Sequence, residues 1–219
     1  MRINITTTSS KETVNFNYQP MLTRAFHRWL GDNKLHDNTS LYSFSWINGG
    51  IANKSGIKFD HGGHFFISAY KEDTIKDLIK GIRGNPLIGS GLYVKEIEIE
   101  TSIDRVEDQQ LFYCASPILV KRTIENKEIH FSFNDPQSDA YLTETLQYKL
   151  RFAGLQVEGV SVKFDRGFQA AKTKVVYYKN IGNKTNLCPV IIKGTSEQIA
   201  FAWNVGIGNS TGIGFGALK

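Results

Sequence analysis

Val205-Gly206-Ile207-Gly208-Asn209-Ser210-Thr211-Gly212-Ile213-Gly214-Phe215-Gly216-Ala217-Leu218-Lys219 are the last fifteen residues of the sequence, and five of them are glycine. Two Gly-apolar-Gly pairs, Gly206/Gly208 and Gly214/Gly216, bracket Gly212. A stretch this poor in side chains permits φ > 0 at several points and exposes backbone N–H groups. That suits close approach to a phosphate backbone. The alternative is a turn at the end of a compact domain. Two familiar glycine loops are excluded. G-x-G-x-x-G fails because position 211 is Thr, and G-x-x-x-x-G-K-[ST] fails because the only nearby lysine is Lys219. Ser196 to Asn204, just upstream, reads as a short helix, and Phe215 to Leu218 reads as a strand.

Working outward, the order helix, glycine loop, strand ends a series that occurs twice. Residues 2–8 alternate as a strand, and Pro20 opens a helix with Leu22, Phe26, Trp29 and Leu30 on one face, stopped by Gly31. Leu41 to Ile47 reads as a second strand carrying alternating aromatics. Ile57–Asp60 and Phe65–Tyr70 read as a hairpin about His61-Gly62-Gly63-His64. A helix with Ile75, Leu78, Ile79 and Ile82 follows, then a strand from Leu92 to Ile103. Strand, helix, two strands, helix, strand is the ferredoxin-like unit. The second half repeats it loosely. A strand from Leu111 to Lys121 and a small hairpin lead to a long helix with Leu142, Leu146 and Leu150 in line. Strands at 160–164, 169–178 and 187–193 follow, the last two separated by Gly182-Asn183, before the short helix, the loop and the last strand. The expected fold is α+β: two tandem ferredoxin-like (RRM-like) domains, 1–105 and 110–219, with a C-terminal glycine-rich loop.

Length and composition are those of a globular protein, with 219 residues and 41% apolar. No signal peptide or membrane-length apolar run is evident, so a cytoplasmic protein with no membrane partner is expected. Cys114 and Cys188 lack metal-ligand spacing and read as buried free thiols. His61 and His64 read as turn polarity; no metal and no cofactor is expected. The net charge of +5 sits wholly in the second half. Residues 1–109 hold 13 bases and 13 acids, whereas 110–219 hold 13 bases and 8 acids. Lys163, Arg166, Lys172, Lys174, Lys179, Lys184 and Lys193 face the single acid Asp165 within 160–193. Such a stripe attracts a polyanion, nucleic acid first.

The C-terminal Gly-apolar-Gly pattern resembles the glycine-rich loop of the RAMP superfamily of CRISPR-associated RNA-binding proteins. With the N-terminal half included, the chain is similar to the repeat-specific endoribonucleases, the sixth Cas protein family. The resemblance implies a catalytic site beside the first helix and the loop after it, with RNA held by the basic hairpin and the glycine loop. His36 stands where many members have a catalytic histidine, and His27 where members have a Tyr or a second His. The lysine some members carry a little further on is replaced by Asn38, Thr39 and Ser40. The resemblance implies CRISPR repeat RNA as partner and leaves open other Cas proteins of an interference complex and a homodimer.

For RNA, metal-free cleavage needs a base for the 2′-hydroxyl, an acid for the 5′-oxygen and cations for the crowded phosphorane. Histidine suits both proton roles because its unperturbed pKa, about 6.5, lies near operating pH. His27 and His36 are the expected acid and base. Arg24, Arg28 and Lys34 are expected phosphate contacts; Lys163, Arg166, Lys172 and Lys174, with Gly206, Gly208, Gly214 and Gly216, are expected RNA contacts. The rival readings are a non-catalytic RAMP subunit that holds guide RNA, and a ferredoxin-like interaction module without RNA.

Overall fold

A computed structural model describes residues 1–31, 39–101, 103 and 108–219. The first half runs β1 (Arg2–Thr7), α1 (Gln19–Leu30), β2 (Tyr42–Phe44), β3 (Ile51–Asn53), β4 (Gly56–Lys58), β5 (His64–Ala69), α2 (Glu72–Gly84), β6 (Leu87–Gly89) and β7 (Leu92–Glu100). Its antiparallel sheet has the order β2-β5-β1-β7-β6. Ile3, Ile5, Phe65 and Ile67 turn to one side of this sheet. There they pack with Leu22, Phe26 and Trp29 of α1 and with Ile75, Leu78 and Ile82 of α2 in one buried cluster.

The second half runs β8 (Gln109–Phe112), β9 (Lys121–Ile124), β10 (Lys127–His130), α3 (Ser138–Phe152), β11 (Ser161–Phe164), β12 (Lys172–Tyr178), β13 (Ile181–Leu187), β14 (Val190–Lys193) and α4 (Ser196–Val205), then a 3₁₀ turn at Thr211–Ile213. Its sheet has the order β11-β14-β8. The end of the chain adds beside the continuation of β8, with Cys114 bridged to Leu218 and Tyr113 exchanging both backbone hydrogen bonds with Lys219 at 2.9 Å. With the short edge strand β6 left aside, the sheet strands of each half counted in chain order therefore lie 2-3-1-4. Leu142, Leu146 and Leu150 of α3 and Ile199, Ala202 and Trp203 of α4 fill the second core. Thr195 and Gln198 form a capping box that starts α4.

The halves meet through polar and apolar contacts. Arg2 lies between the rings of Phe66 and Trp203, 3.7 and 3.8 Å from their centroids, and donates to the Leu218 carbonyl at 2.8 Å. Leu119, Val176 and Phe215 form a small third cluster with Trp46 and Ile213 against it.

Three expectations about the strands are corrected. First, β4 pairs with β3, not β5, and β5 pairs with β1 and β2. The tighter turn is Asn53-Lys54-Ser55-Gly56, where the Asn53 Oδ1 accepts from the N–H groups of Ser55 and Gly56. Gly62 instead marks a close approach to β1: its φ is 79°, and a Cβ there would strike the Thr7 carbonyl. Second, Gly182-Asn183 lies inside β13, and the hairpin turns at Lys179-Asn180, with φ of 48° and 68°. That is the positive-φ pair of a type I′ turn. Asn183 is tolerated inside because its amide donates to the Val176 and Ile181 carbonyls. Third, the strand expected over 111–121 is interrupted: β8 ends at Phe112, and isolated bridges at Cys114, Ile118 and Leu119 continue it. The helices fall where expected.

Candidate active site

Helix α1 buries Leu22, Ala25, Phe26 and Trp29, so its spacing leaves Arg24 and His27 on the outer side. Pro20, Thr23, Arg24 and His27 form one wall of a cleft of about 670 Å³. Ser40 and Tyr42 form its floor, Gly212 and Ile213 of the glycine loop a second wall, and Tyr178 and Lys179 from the β12–β13 tip a third. Three separate stretches of chain thus meet around His27. Its ring packs edge-on to Phe26 at 5.2 Å, and Phe26 stacks on Tyr42 at 4.3 Å. Burial pushes the Tyr42 phenol up from its ordinary pKa, offset in part by a hydrogen bond with Ser40, so it stays a neutral hydroxyl at neutral pH. A larger groove of about 850 Å³ lies between the first sheet and the second half, but Glu96 and Glu98 line it. Arg2 and Lys219 line it as well, so its charge is mixed and gives no preference for a phosphate backbone.

Of the expected cations, Arg24 reaches the cleft, where its Nε donates to the Pro20 carbonyl at 3.3 Å. Arg28 does not: it donates to the Leu87 carbonyl and lines a separate depression beside Asn17 and Ser90. Lys34 and His36 lie outside the described residues. Ser40, four residues after His36 in the chain, lines the cleft. Lys172 and Lys174 share a face of β12 with buried Val176, but both lysine side chains are exposed. The Lys174 ammonium sits 5.0 Å from the Trp46 ring centroid. Arg166 is engaged with Asp139 by two hydrogen bonds of 2.7 and 3.1 Å at the start of α3. Lys163 is exposed on the edge strand β11.

The glycine loop is not the open set of N–H groups that its composition predicts. Gly206, Gly208, Gly212, Gly214 and Gly216 are all buried. The Ile207 N–H donates to Gly216, that of Asn209 to Leu119, that of Gly214 to Thr211 and that of Gly216 to Pro117. A Cβ at Gly208 would lie 2.5 Å from the Leu119 carbonyl, and one at Gly214 would lie 2.9 Å from the Phe44 ring. Gly212 and Gly214 are needed where the loop packs on the first half, Gly208 and Gly216 where it packs on its own half, and Gly212 brings the loop to the cleft wall. Lys149 of α3 is buried beneath the loop and donates to the Val205 and Gly206 carbonyls, both at 3.2 Å, and to the Thr211 Oγ1 at 3.0 Å. Burial lowers its pKa to about 7.

The sequence reading missed Ser40, Tyr178, Lys179, Gly212 and Ile213 as cleft residues. Asn180, a residue suited to a positive-φ turn, was the signal for the hairpin tip. Among the described residues no group of three or more His, Cys, Asp or Glu could hold a metal. Both cysteines are free; burial raises the Cys114 thiol to about 12 and the Cys188 thiol to about 11, so neither is a nucleophile at neutral pH. Among the described residues no helix is long and apolar enough to cross a membrane.

Residues 98–219, more than half of the sequence, match the family model described as CRISPR associated protein Cas6, C-terminal. The chain belongs to the Cas6 family. The match takes in the β12–β13 hairpin and the glycine loop, and His27 and His36 precede it. Solved structures extend the similarity in fold to the whole chain. A Cas6-related protein from Pyrococcus furiosus shares 22% identity, with a TM-score of 0.85 over 100% of this chain and 97% of the other. A RAMP protein described as binding different RNA substrates shares 20%, with a TM-score of 0.84 over 100% and 98%. A Cas6 product complex shares 11%, with a TM-score of 0.65 over 100% and 99%. No curated protein matches the chain.

Proposed function

We propose that this Cas6 family member is a metal-independent endoribonuclease that cuts precursor CRISPR RNA within its repeats. The observation that carries the reading is the cleft. It joins a histidine and an arginine of α1, the wall formed by the glycine loop, and the tip of the most basic hairpin in the chain. The two halves, with their common strand order, are read as tandem ferredoxin-like domains over 1–105 and 110–219. The first supplies the proton-transfer groups and the second holds the RNA.

In this mechanism a histidine base takes the proton of the 2′-hydroxyl. The 2′-oxygen bonds to the adjacent phosphorus, the bond to the 5′-oxygen breaks, and a second group gives that oxygen a proton. The products are a 2′,3′-cyclic phosphate and a 5′-hydroxyl. His36 and His27 take the two proton roles. Arg24 contacts the phosphate, its planar fork suited to two oxygens at once. Lys172 and Lys174 track the backbone, and Lys34 and Lys163 add weaker contacts. Arg166 and Arg28 engage their guanidinium groups with Asp139 and Leu87 and contribute less. Gly206, Gly208, Gly214 and Gly216 support RNA by shaping the loop. No cofactor is required. The protein acts in the cytoplasm with repeat RNA as its partner, alone, as a homodimer or with other Cas proteins.

A second reading, a subunit that binds guide RNA without cutting it, needs the hairpin but no histidine. Incubating the protein with labelled repeat RNA in EDTA separates the two. Cutting at one position supports the enzyme, retention of intact RNA supports the subunit, and neither outcome rejects both.

A further inference from the structure

Lys149 is a charged side chain with no part in the chemistry above, yet it is buried at the centre of the second half. Burying an ammonium is costly unless its hydrogens are used. Here they are used on three neutral oxygens from two separate elements: the carbonyls of Val205 and Gly206, at the end of α4, and the Thr211 hydroxyl, at the start of the 3₁₀ turn. The C-terminal end of a helix carries partial negative charge and favours a cation. The contact to Thr211 extends that anchor into the glycine loop.

From Thr211 an unbroken series of close contacts leads to the proposed active-site histidine. Gly212 packs so closely on Ser40 and Tyr42 that a Cβ would lie 2.8 Å from the Tyr42 hydroxyl. Tyr42 stacks on Phe26, and Phe26 packs on His27. A shift of the 3₁₀ turn would therefore move a wall of the cleft and the packing behind His27 together. We propose that Lys149 is a positioning residue of this cleft: its ammonium ties the Thr211–Ile213 turn to the end of α4 and so sets the distance between the glycine-loop wall and α1. The proposal rests on the endoribonuclease reading for its effect on cutting, and on the contacts alone for its effect on the loop.

The test compares wild type with Lys149→Met, Thr211→Val and the double variant by three measurements. These are thermal melting, amide hydrogen exchange across 211–214, and single-turnover cleavage of repeat RNA at saturating protein. Lys149→Met removes a buried charge and keeps the apolar stem but leaves the Val205 and Gly206 carbonyls without this donor, two opposing effects, so its melting temperature should change little. Exchange at 211–214 should accelerate at least about tenfold. Cleavage of bound RNA should fall by about 10- to 100-fold, the scale of a misplacement of about 1 Å, while the Kd for RNA changes less than about threefold. Thr211→Val should change exchange and rate in the same direction by less. The double variant should be no worse than Lys149→Met, because both act through one contact. Wild-type exchange and rate in both single variants would overturn the proposal, as would a loss of rate that only follows a loss of melting temperature. If Lys149→Met does not fold, Thr211→Val decides alone. If wild type binds repeat RNA without cutting it, the endoribonuclease reading fails, and exchange at 211–214 still decides whether Lys149 holds the loop.

Discussion

The two halves share one strand order and differ in what their connections carry. Each inserts a hairpin between its second and third sheet strands. In the first half this is β3–β4, with three-residue strands that fold back to Val14. In the second it is β12–β13, with seven-residue strands whose tip reaches the cleft of the other half. Likewise α2 passes to β7 through Asn85-Pro86 and the short strand β6, whereas α4 passes to the chain end through the glycine loop. The repeated elements build two cores, and the unequal connections build the cleft around His27. Function placed in connections over a common scaffold is the usual arrangement in such folds.

The largest expected effect breaks the comparison on the first-half side. His36→Ala should lower cleavage of repeat RNA by at least about 10², the lower range for losing a general acid or base. Binding should stay within a few-fold. His27→Ala should lose as much or less. Single-turnover kinetics at saturating protein measures both, and a wild-type rate for His36→Ala would remove the proposed proton-transfer role.

Next in size is the contrast between hairpins. Lys172→Ala with Lys174→Ala should weaken RNA binding and flatten the dependence of log K on log salt by roughly one to two, at about 0.7–0.9 for each phosphate no longer neutralised. Lys54→Ala with Lys58→Ala, on the β3–β4 hairpin, should leave that slope alone. Equal slopes for the two pairs would show that the longer hairpin is only a solvated face.

A smaller effect separates the helix-to-strand connections. Gly214 has φ of 94°, and a Cβ there would press on Phe44, so Gly214→Ala should destabilise by roughly 1–3 kcal/mol. At Gly84, at the end of α2, nothing lies within 4 Å of an added Cβ, and Gly84→Ala should be close to neutral. Urea unfolding of both variants checks this. The same method reads the smallest effect. Lys149 has its pKa lowered to about 7 in the fold from the ordinary lysine value, so the unfolded chain binds the extra proton above pH 7. The contribution of Lys149 to stability should therefore rise as pH is raised from 7 to 9, by roughly 1–2 kcal/mol. The Lys149→Met variant should lack that rise.

The helices and most strands were legible because each buries one periodic face: Leu22/Phe26/Trp29, Ile75/Leu78/Ile82 and Leu142/Leu146/Leu150 need no tertiary information to be seen. The first hairpin was misread because Gly62-Gly63 looks like a turn in sequence, while its reason, contact with Thr7 of β1, is long-range. The second was misread because Gly182-Asn183 reads as a breaker unless the Asn183 amide is known to bond within the hairpin. The cleft itself was half legible. Arg24 and His27 follow from the polar face of α1, but Tyr178, Lys179 and Gly212 join them only through packing between the halves. The burial of the glycines was illegible for the same reason, since composition does not reveal which backbone groups a loop commits to its neighbours.

The central claim is that this cleft cuts RNA by attack of its own 2′-hydroxyl, without metal. The most direct measurement uses repeat RNA labelled at each end, in EDTA, with and without a single 2′-deoxy nucleotide at the cleaved position. The account predicts one cut in the unmodified RNA, a 2′,3′-cyclic phosphate on one fragment, a 5′-hydroxyl on the other, and no cut in the 2′-deoxy RNA. Cleavage that EDTA abolishes, or that survives the 2′-deoxy substitution, would contradict it.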